Sequence, residues 1–336
     1  MNQSKRKFLK FFFTFLFFLI FKVLRFRSSV ANGINYSLKS KIMLDKIFQK
    51  FHLSRDHPES PQRITHISDE LKQNNLLHKC ISFKKNIEVK KWLNTVHTDY
   101  HIESLKENYP EGYEVAISGV KSCISAVDKI EKNECKNIFC AIRPPGHHAL
   151  NTGKVEGFCF FNNIAITAKY LQIKYNYKKI LIVDWDYHHG NATQDMFYDD
   201  NTVLFFSTHD KYAYPGTGQI DKIGIGKGQG YNINVHLPCG TNDEKIIDVF
   251  NNILVPKANK FKPDYILISA GFDSRHGDPL GCFEISDEGF IKLTKIIMSL
   301  SKKFCDNKLI SILEGGYDLG GNAKATLAHV KTLDNV

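Results

Sequence analysis

From about residue 138 the chain alternates short apolar runs with longer amphipathic stretches. Short runs rich in Val, Ile, Phe and Tyr read as buried strands, and apolar positions recurring at helical spacing between them read as helices. The pattern predicts strands over 138–142, 180–184, 203–207, 231–235, 265–270 and 309–313. It predicts helices over 162–175, 243–258 and 286–304. Upstream, Ile64, Ile67, Leu71 and Leu76 continue a helical period after His57-Pro58-Glu59-Ser60-Pro61-Gln62-Arg63. Near-continuous apolar strands joined by helical crossovers must be covered on both faces, so the fold class is α/β with a parallel sheet.

The extreme N-terminus follows a different pattern. Lys5, Arg6 and Lys7 precede a Phe-rich run from Phe11 to Phe21 broken only by Thr14, and Lys22, Arg25 and Arg27 close it. A basic flank, an apolar core and the small residues Ser29-Val30-Ala31 match a targeting segment. The run is short for a spanning helix, although residues 8–24 together offer a short membrane anchor. Two segments follow: a targeting or anchor leader over 1–55 and one catalytic domain over 56–336. Organelle targeting or membrane association is the expected destination, with the cytoplasm or nucleus as the alternative.

The net charge of +10 invites a nucleic-acid reading until it is divided along the chain. Residues 1–55 hold 12 Lys/Arg and the single acid Asp45, which leaves 33 bases and 34 acids for residues 56–336. The domain is near neutral, so no direct nucleic-acid binding is expected of it. Eight cysteines lie scattered with no Cys-x-x-Cys, and at this chain length they read as mostly buried free thiols. The stretch Gly224 to Gly230 lacks the Gly-Lys-Ser/Thr of a phosphate loop and leads into a strand, so it is read as a turn.

In open parallel sheets ligands bind beyond the carboxyl ends of the strands, and the polar clusters of this sequence fall there. Successive strands run into Arg143-Pro144-Pro145-Gly146-His147-His148, Asp184-Trp185-Asp186-Tyr187-His188-His189, Ser207-Thr208-His209, Gly271-Phe272-Asp273 and Glu314-Gly315-Gly316-Tyr317. Extended alternation sends Asp184, Asp186 and His188 to one side, and Trp185, Tyr187 and His189 to the other. Two carboxylates and an imidazole, Asp186, His188 and Asp273, make a zinc set that leaves a position open for water. Amide hydrolysis then needs a base for the water and an acid for the leaving amine, which His147 and His148 can supply. Asp184 serves better as an orienter of one histidine than as a further ligand. Asn191 can orient the other, and an uncharged amide raises an imidazole pKa less than a carboxylate does. Tyr317 can donate its hydroxyl to a developing oxyanion. Each residue alone has a bland reading as a cap, a surface feature or a packed ring; their joint arrival at successive strand ends favours chemistry.

Taken together, Arg143 to Ala149, Gly157 to Asn163, Asp184 to Asn191, Pro215 to Gly218, Ala270 to Asp273 with Gly277 to Gly281, and Glu314 to Leu319 resemble the zinc-dependent histone deacetylase family. The segment from His57 to Arg63 and Asn191 look like its class II and bacterial branch. The resemblance implies the arginase/deacetylase fold with a central eight-stranded parallel sheet and one Zn²⁺ on Asp186, His188 and Asp273. It also implies that His148 is the principal base, with His147 held by Asp184, and that Tyr317 stabilises the transition state. Phe158 and Tyr214 match the walls of a channel for an acyl-lysine stem. A structural K⁺ near Asp184, Asp186, His188, Ser207 and Thr208 is implied, mainly through backbone oxygens. Ala192 departs from the second glycine that many relatives carry.

The implied substrates are acyl-lysine proteins or peptides, with acetylated small amines such as acetylpolyamines as the alternative. Leu280 stands where a polyamine-selective relative is expected to carry an acid, so nothing there attracts a second amine. A binuclear ureohydrolase lacks its bridging acid, because Ser274-Arg275 follows Asp273. A binding module without catalysis is disfavoured by the intact set of acid, base and ligands.

Overall fold

The computed structural model describes residues 40–334. Eight strands form one sheet: β1 Lys41–Met43, β2 Cys80–Ile81, β3 Asn137–Cys140, β4 Ile180–Asp184, β5 Val203–Asp210, β6 Asn232–Leu237, β7 Tyr265–Ala270 and β8 Leu309–Leu313. Their order is β2-β1-β3-β8-β7-β4-β5-β6, and all the pairings between neighbouring strands are parallel. The expected α/β class and eight-stranded parallel sheet are thus what the chain forms. Every residue of β3, β4, β5, β7 and β8 is buried, which accounts for their predominantly apolar character.

The order of strands explains the site. Chain order and sheet order part company in the centre, where β3, β8, β7, β4 and β5 are consecutive neighbours. Four of the polar clusters follow β3, β4, β7 and β8, and the fifth, Ser207-Thr208-His209, forms the carboxyl end of β5 itself, so a chain distance of 170 or so residues becomes a few strand widths of roughly 5 Å each. Register sharpens this: Asp184 lies opposite Ser207 on one side and Ser269 on the other.

Three local differences have physical causes. β1 lies ahead of the expected boundary at residue 56; Lys41, Ile42 and Met43 are too few to carry a readable period, and only pairing with β2 and β3 makes them a strand. The helix expected over 243–258 is divided into Asp243–Val249, a π-helical turn Phe250–Leu254 and Val255–Phe261. Pro256 has no N–H for a continuous helix and its ring crowds the carbonyl a turn earlier, which the wider turn relieves.

The third difference concerns sulfur. Five of six free cysteines are buried, as expected, but Cys239 and Cys282 form a disulfide across 43 residues of chain. The expectation of free thiols missed this pair because no spacing signals it. The end of β6 and the 274–286 segment run side by side through Gly240 N to Cys282 O (2.7 Å) and Glu284 N to Thr241 O (2.7 Å), which brings the two Cα atoms to 5.1 Å. Residues 8–24 lie outside the described residues. Among the described residues no helix is long and apolar enough to cross a membrane.

Candidate active site

β4 ends at Asp184, and the next five residues belong to no strand, so their positions are set by polar contacts. Asp186 Oδ1 accepts from His188 N (2.8 Å), and Asp186 Oδ2 accepts from Gly315 N (2.8 Å) at the end of β8. Asp273, just beyond β7, accepts from Tyr187 N at 2.8 Å. His188 Nδ1 then lies 3.2 Å from Asp186 Oδ1 and 3.0 Å from Asp273 Oδ2. One ligand atom from each of Asp186, His188 and Asp273 falls within 4.8 Å of the others.

This trio fits a dication on its chemistry. Two fully buried carboxylates face one another, a costly arrangement unless positive charge compensates it. Burial first, and then the charge of Asp186, push the Asp273 carboxyl upward. Burial opposes a charged His188, yet hydrogen bonds to Asp186 and Asp273 outweigh it and hold the imidazole up at about 10. Both shifts report a site seeking a cation. Gly315 completes the cradle: a Cβ there would stand 2.1 Å from Asp273 Oδ2 and 2.7 Å from Asp186 Oδ2.

His147 and His148 arrive from the loop after β3 with ring centroids 4.0 Å apart, both buried. Their partners differ. His147 Nδ1 lies 3.0 Å from Asp184 Oδ2, whereas His148 Nδ1 lies 2.7 Å from Asn191 Oδ1. Burial disfavours the charged form of both rings. For His147 the carboxylates of Asp186, Asp184 and Glu314 overcome it and raise the pKa well above the ordinary value. For His148 burial prevails, reinforced by the charges of His147 and His188, and the pKa falls well below. Ala192 is accommodated without disturbing this pair, since its N–H donates to His147 O at 3.1 Å.

Above the trio opens a cavity of about 330 Å³ lined by His148, Gly157, Phe158, His188, Tyr214, Leu280 and Tyr317. Phe158 and Tyr317 meet edge to face at 5.7 Å, and Tyr214 stands edge-on to His148 at 5.0 Å. Phe158 has φ +68°, a left-handed backbone that a bulky residue adopts only when its surroundings hold it there. Leu280 and Tyr214 are partly exposed and form the rim, while Tyr317 lies at the base. Burial pushes the Tyr317 hydroxyl well above its usual pKa, so it is a donor and not a phenolate.

Ser207 and Thr208 sit outside this channel, on β5 beside Asp184. Ser207 Oγ is 2.9 Å from His209 Nδ1, and the buried Thr208 Oγ1 has no hydrogen-bond partner. His189 lies outside the trio, its Nδ1 2.7 Å from Thr217 Oγ1.

Supporting residues whose roles the sequence did not reveal complete the site. Glu314, the first residue after β8, accepts from Gly146 N (2.6 Å) and His147 N (3.2 Å), so it fixes the histidine loop. Burial pushes its carboxyl up to about 7. Arg63 donates to Gly316 O (2.7 Å) and Glu314 O, and its guanidinium lies 5.0 Å from the Tyr317 ring centroid. Glu59 pairs with Arg143 through two bonds of 2.7 Å and lies 3.5 Å from Arg63. A polar residue directly after an apolar strand was the readable signal for Glu314; nothing local marks Arg63 or Glu59 as buried.

Comparison with known proteins agrees with this geometry. Residues 57–333 match the family model described as "Histone deacetylase domain". The chain is 36% identical over 298 residues to a "Probable deacetylase" of Archaeoglobus fulgidus, covering 83% of this chain and 82% of that protein. It is 35% identical over 325 residues to "Histone deacetylase 15" of Arabidopsis thaliana, covering 91% of this chain but only 57% of the plant protein. The crystal structure of the HDA15 HD domain superposes with a TM-score of 0.82 at 33% identity, covering 88% of this chain and 89% of that one. A parallel eight-stranded sheet, an Asp-His-Asp trio at its carboxyl edge and these matches over most of the chain leave one assignment: the protein belongs to the zinc-dependent histone deacetylase family.

Proposed function

We propose that the chain hydrolyses the side-chain amide of acyl-lysine in proteins or peptides, with one Zn²⁺ held by Asp186, His188 and Asp273. The observation that carries this reading is convergence: His188, His148 and Tyr317 line one apolar channel, with Asp186 and Asp273 against His188 and the Asp184-paired His147 against His148. A bound zinc ion would supply Lewis acidity toward the acyl carbonyl and lower the pKa of water.

The protein's own groups do the rest. Phe158, Tyr214 and Leu280 enclose the alkyl stem and exclude solvent, which strengthens polar interactions at the base. With Asn191 Oδ1 accepting from Nδ1–H of neutral His148, its Nε2 is left free to take a proton from the attacking water. His147, oriented by its contact with Asp184, presents a ring N–H beside the reacting carbonyl. Tyr317 donates its hydroxyl to the oxygen as the carbonyl carbon becomes tetrahedral. The C–N bond then breaks, the proton passes from the imidazole pair to the amine nitrogen, and a carboxylic acid and free lysine leave.

The channel lining contains no carboxylate at Leu280 or elsewhere, which supports a neutral lysyl stem over a polyamine with its second ammonium. Steady-state turnover of an acetyl-lysine peptide and of N-acetylputrescine tests this directly. Preference for the peptide is expected, and a strong preference for the polyamine would reverse the substrate assignment.

The strand ends beside the site also support a structural K⁺ near Asp184, Asp186, His188, Ser207 and Thr208. Ser207 pairs in register with Asp184, and Thr208 Oγ1 is a buried oxygen without a partner. The basic, Phe-rich residues 1–55 support targeting to an organelle or a membrane. A fluorescent protein carrying these residues should leave the diffuse cytosolic pool; uniform cytosolic signal would contradict it.

A further inference from the structure

The catalytic position of Tyr317 is not inherited from a strand or a helix. Residues 314–317 belong to no regular element, and Gly315 and Gly316 immediately precede the tyrosine. Gly316 has φ +118°, a conformation open to glycine, so the turn has backbone freedom where the reaction needs a fixed donor. Something outside the turn must remove that freedom. On one side Arg63 holds the carbonyls of Glu314 and Gly316. On the other, three backbone N–H groups converge on one buried side chain, Asp278.

Asp278 Oδ2 accepts from Tyr317 N at 2.6 Å and from Asp318 N at 3.0 Å, and Oδ1 accepts from Leu280 N at 2.9 Å. A single carboxylate therefore ties the base of the channel, at Tyr317, to its rim, at Leu280. Carboxylate suits this task because both oxygens are acceptors, whereas an amide of the same shape presents one acceptor and one donor. The donor would face an N–H and push the turn away.

We propose that Asp278 is a positioning residue for catalysis: it fixes the Tyr317 turn, and with it the direction of the hydroxyl toward the acyl oxygen, while setting the opposite channel lip through Leu280. The inference rests on the assignment of Tyr317 as oxyanion donor. It predicts a defect in the chemical step more than in substrate capture. Asp278 does not touch the substrate.

The test compares the zinc-loaded full-length protein with Asp278→Asn and Asp278→Glu, using acetyl-lysine and trifluoroacetyl-lysine peptides. Fluorine withdraws electrons from the carbonyl, so the second substrate depends less on a donor at the oxyanion. In Asp278→Asn, kcat for acetyl-lysine should fall at least about tenfold, in line with a donor displaced by a fraction of an ångström, with KM changed less than about threefold. The trifluoroacetyl-to-acetyl ratio of kcat should rise by about tenfold or more, and Tyr317→Phe should shift it in the same direction. Zinc content should remain one per chain, and hydrogen exchange at the Leu280, Tyr317 and Asp318 amides should quicken. Loss of folded or metal-loaded enzyme would lower both substrates alike and leave the ratio unmoved. Asp278→Glu, which keeps two acceptors on a longer arm, should shift the ratio less than Asp278→Asn. An unchanged ratio in both variants of an active enzyme overturns the role of Asp278. A wild-type protein inactive on both peptides would instead refute the deacylase reading itself.

Discussion

His147 and His148 are adjacent in sequence and 4.0 Å apart in space, yet the fold gives them opposite protonation preferences. Their partners decide it, a carboxylate for one and an amide for the other. Replacing Asn191 with Asp would give His148 a second negative neighbour and favour its cation, raising its pKa. The acidic limb of the kcat/KM profile should therefore move to higher pH by about one unit or more, and activity at neutral pH should fall. A profile superimposable on wild type would show that His148 does not act as the base. The residues of the proposed ligand and acid-base set could be picked out in the sequence because they cluster in the loops that leave apolar strands. The functions of Glu314, Arg63 and Asp278 were not, because they act on backbone atoms remote in sequence, and no residue type or spacing encodes that.

At the level of elements, β4, β7 and β8 fall where apolar runs predict them, since strands buried on both faces need no partner to be recognised. β1 and β2, with three and two residues, have no such signature and depend on neighbours. The link between β6 and the 274–286 segment is likewise a product of tertiary proximity. The Cys239–Cys282 bridge closes a loop of 43 residues, which restricts the unfolded chain and stabilises the fold by up to ~4 kcal/mol. Cys239→Ser should lower the denaturant midpoint relative to oxidised wild type, with the wild-type midpoint falling to the same value once a reductant is added. Equal midpoints for variant and untreated wild type would mean that the bridge contributes nothing. The substitution lies outside the channel, so acetyl-lysine turnover should be retained.

Across the whole molecule, buried imidazoles impose a pH limit on stability. Burial depresses His329 to about 3, and burial with repulsion from His101 depresses His97 to about 3. Unfolded histidines titrate near ~6.5, so below that pH the unfolded chain binds protons that the folded chain refuses. The contribution is complete above ~6.5 and declines by about 1.4 kcal/mol per pH unit for each such histidine as pH falls toward 3. Urea midpoints should drop between neutral pH and about pH 5.5; a midpoint insensitive to this change would contradict the neutral, buried assignment. The basic pI reflects residues 1–55, and the near-neutral remainder fits a site whose recognition lies in a narrow apolar channel instead of a charged surface.

Residue, strand and fold meet at one point: one metal, at one trio, turns the apolar channel into an amidohydrolase. Titrating zinc into chelator-stripped protein while following acetyl-lysine peptide turnover tests it most directly. Activity should be absent without metal, rise linearly and saturate at one equivalent per chain, with Asp273→Ala neither retaining the ion nor recovering turnover. Undiminished hydrolysis by metal-free protein, or saturation only at two equivalents, would contradict the account.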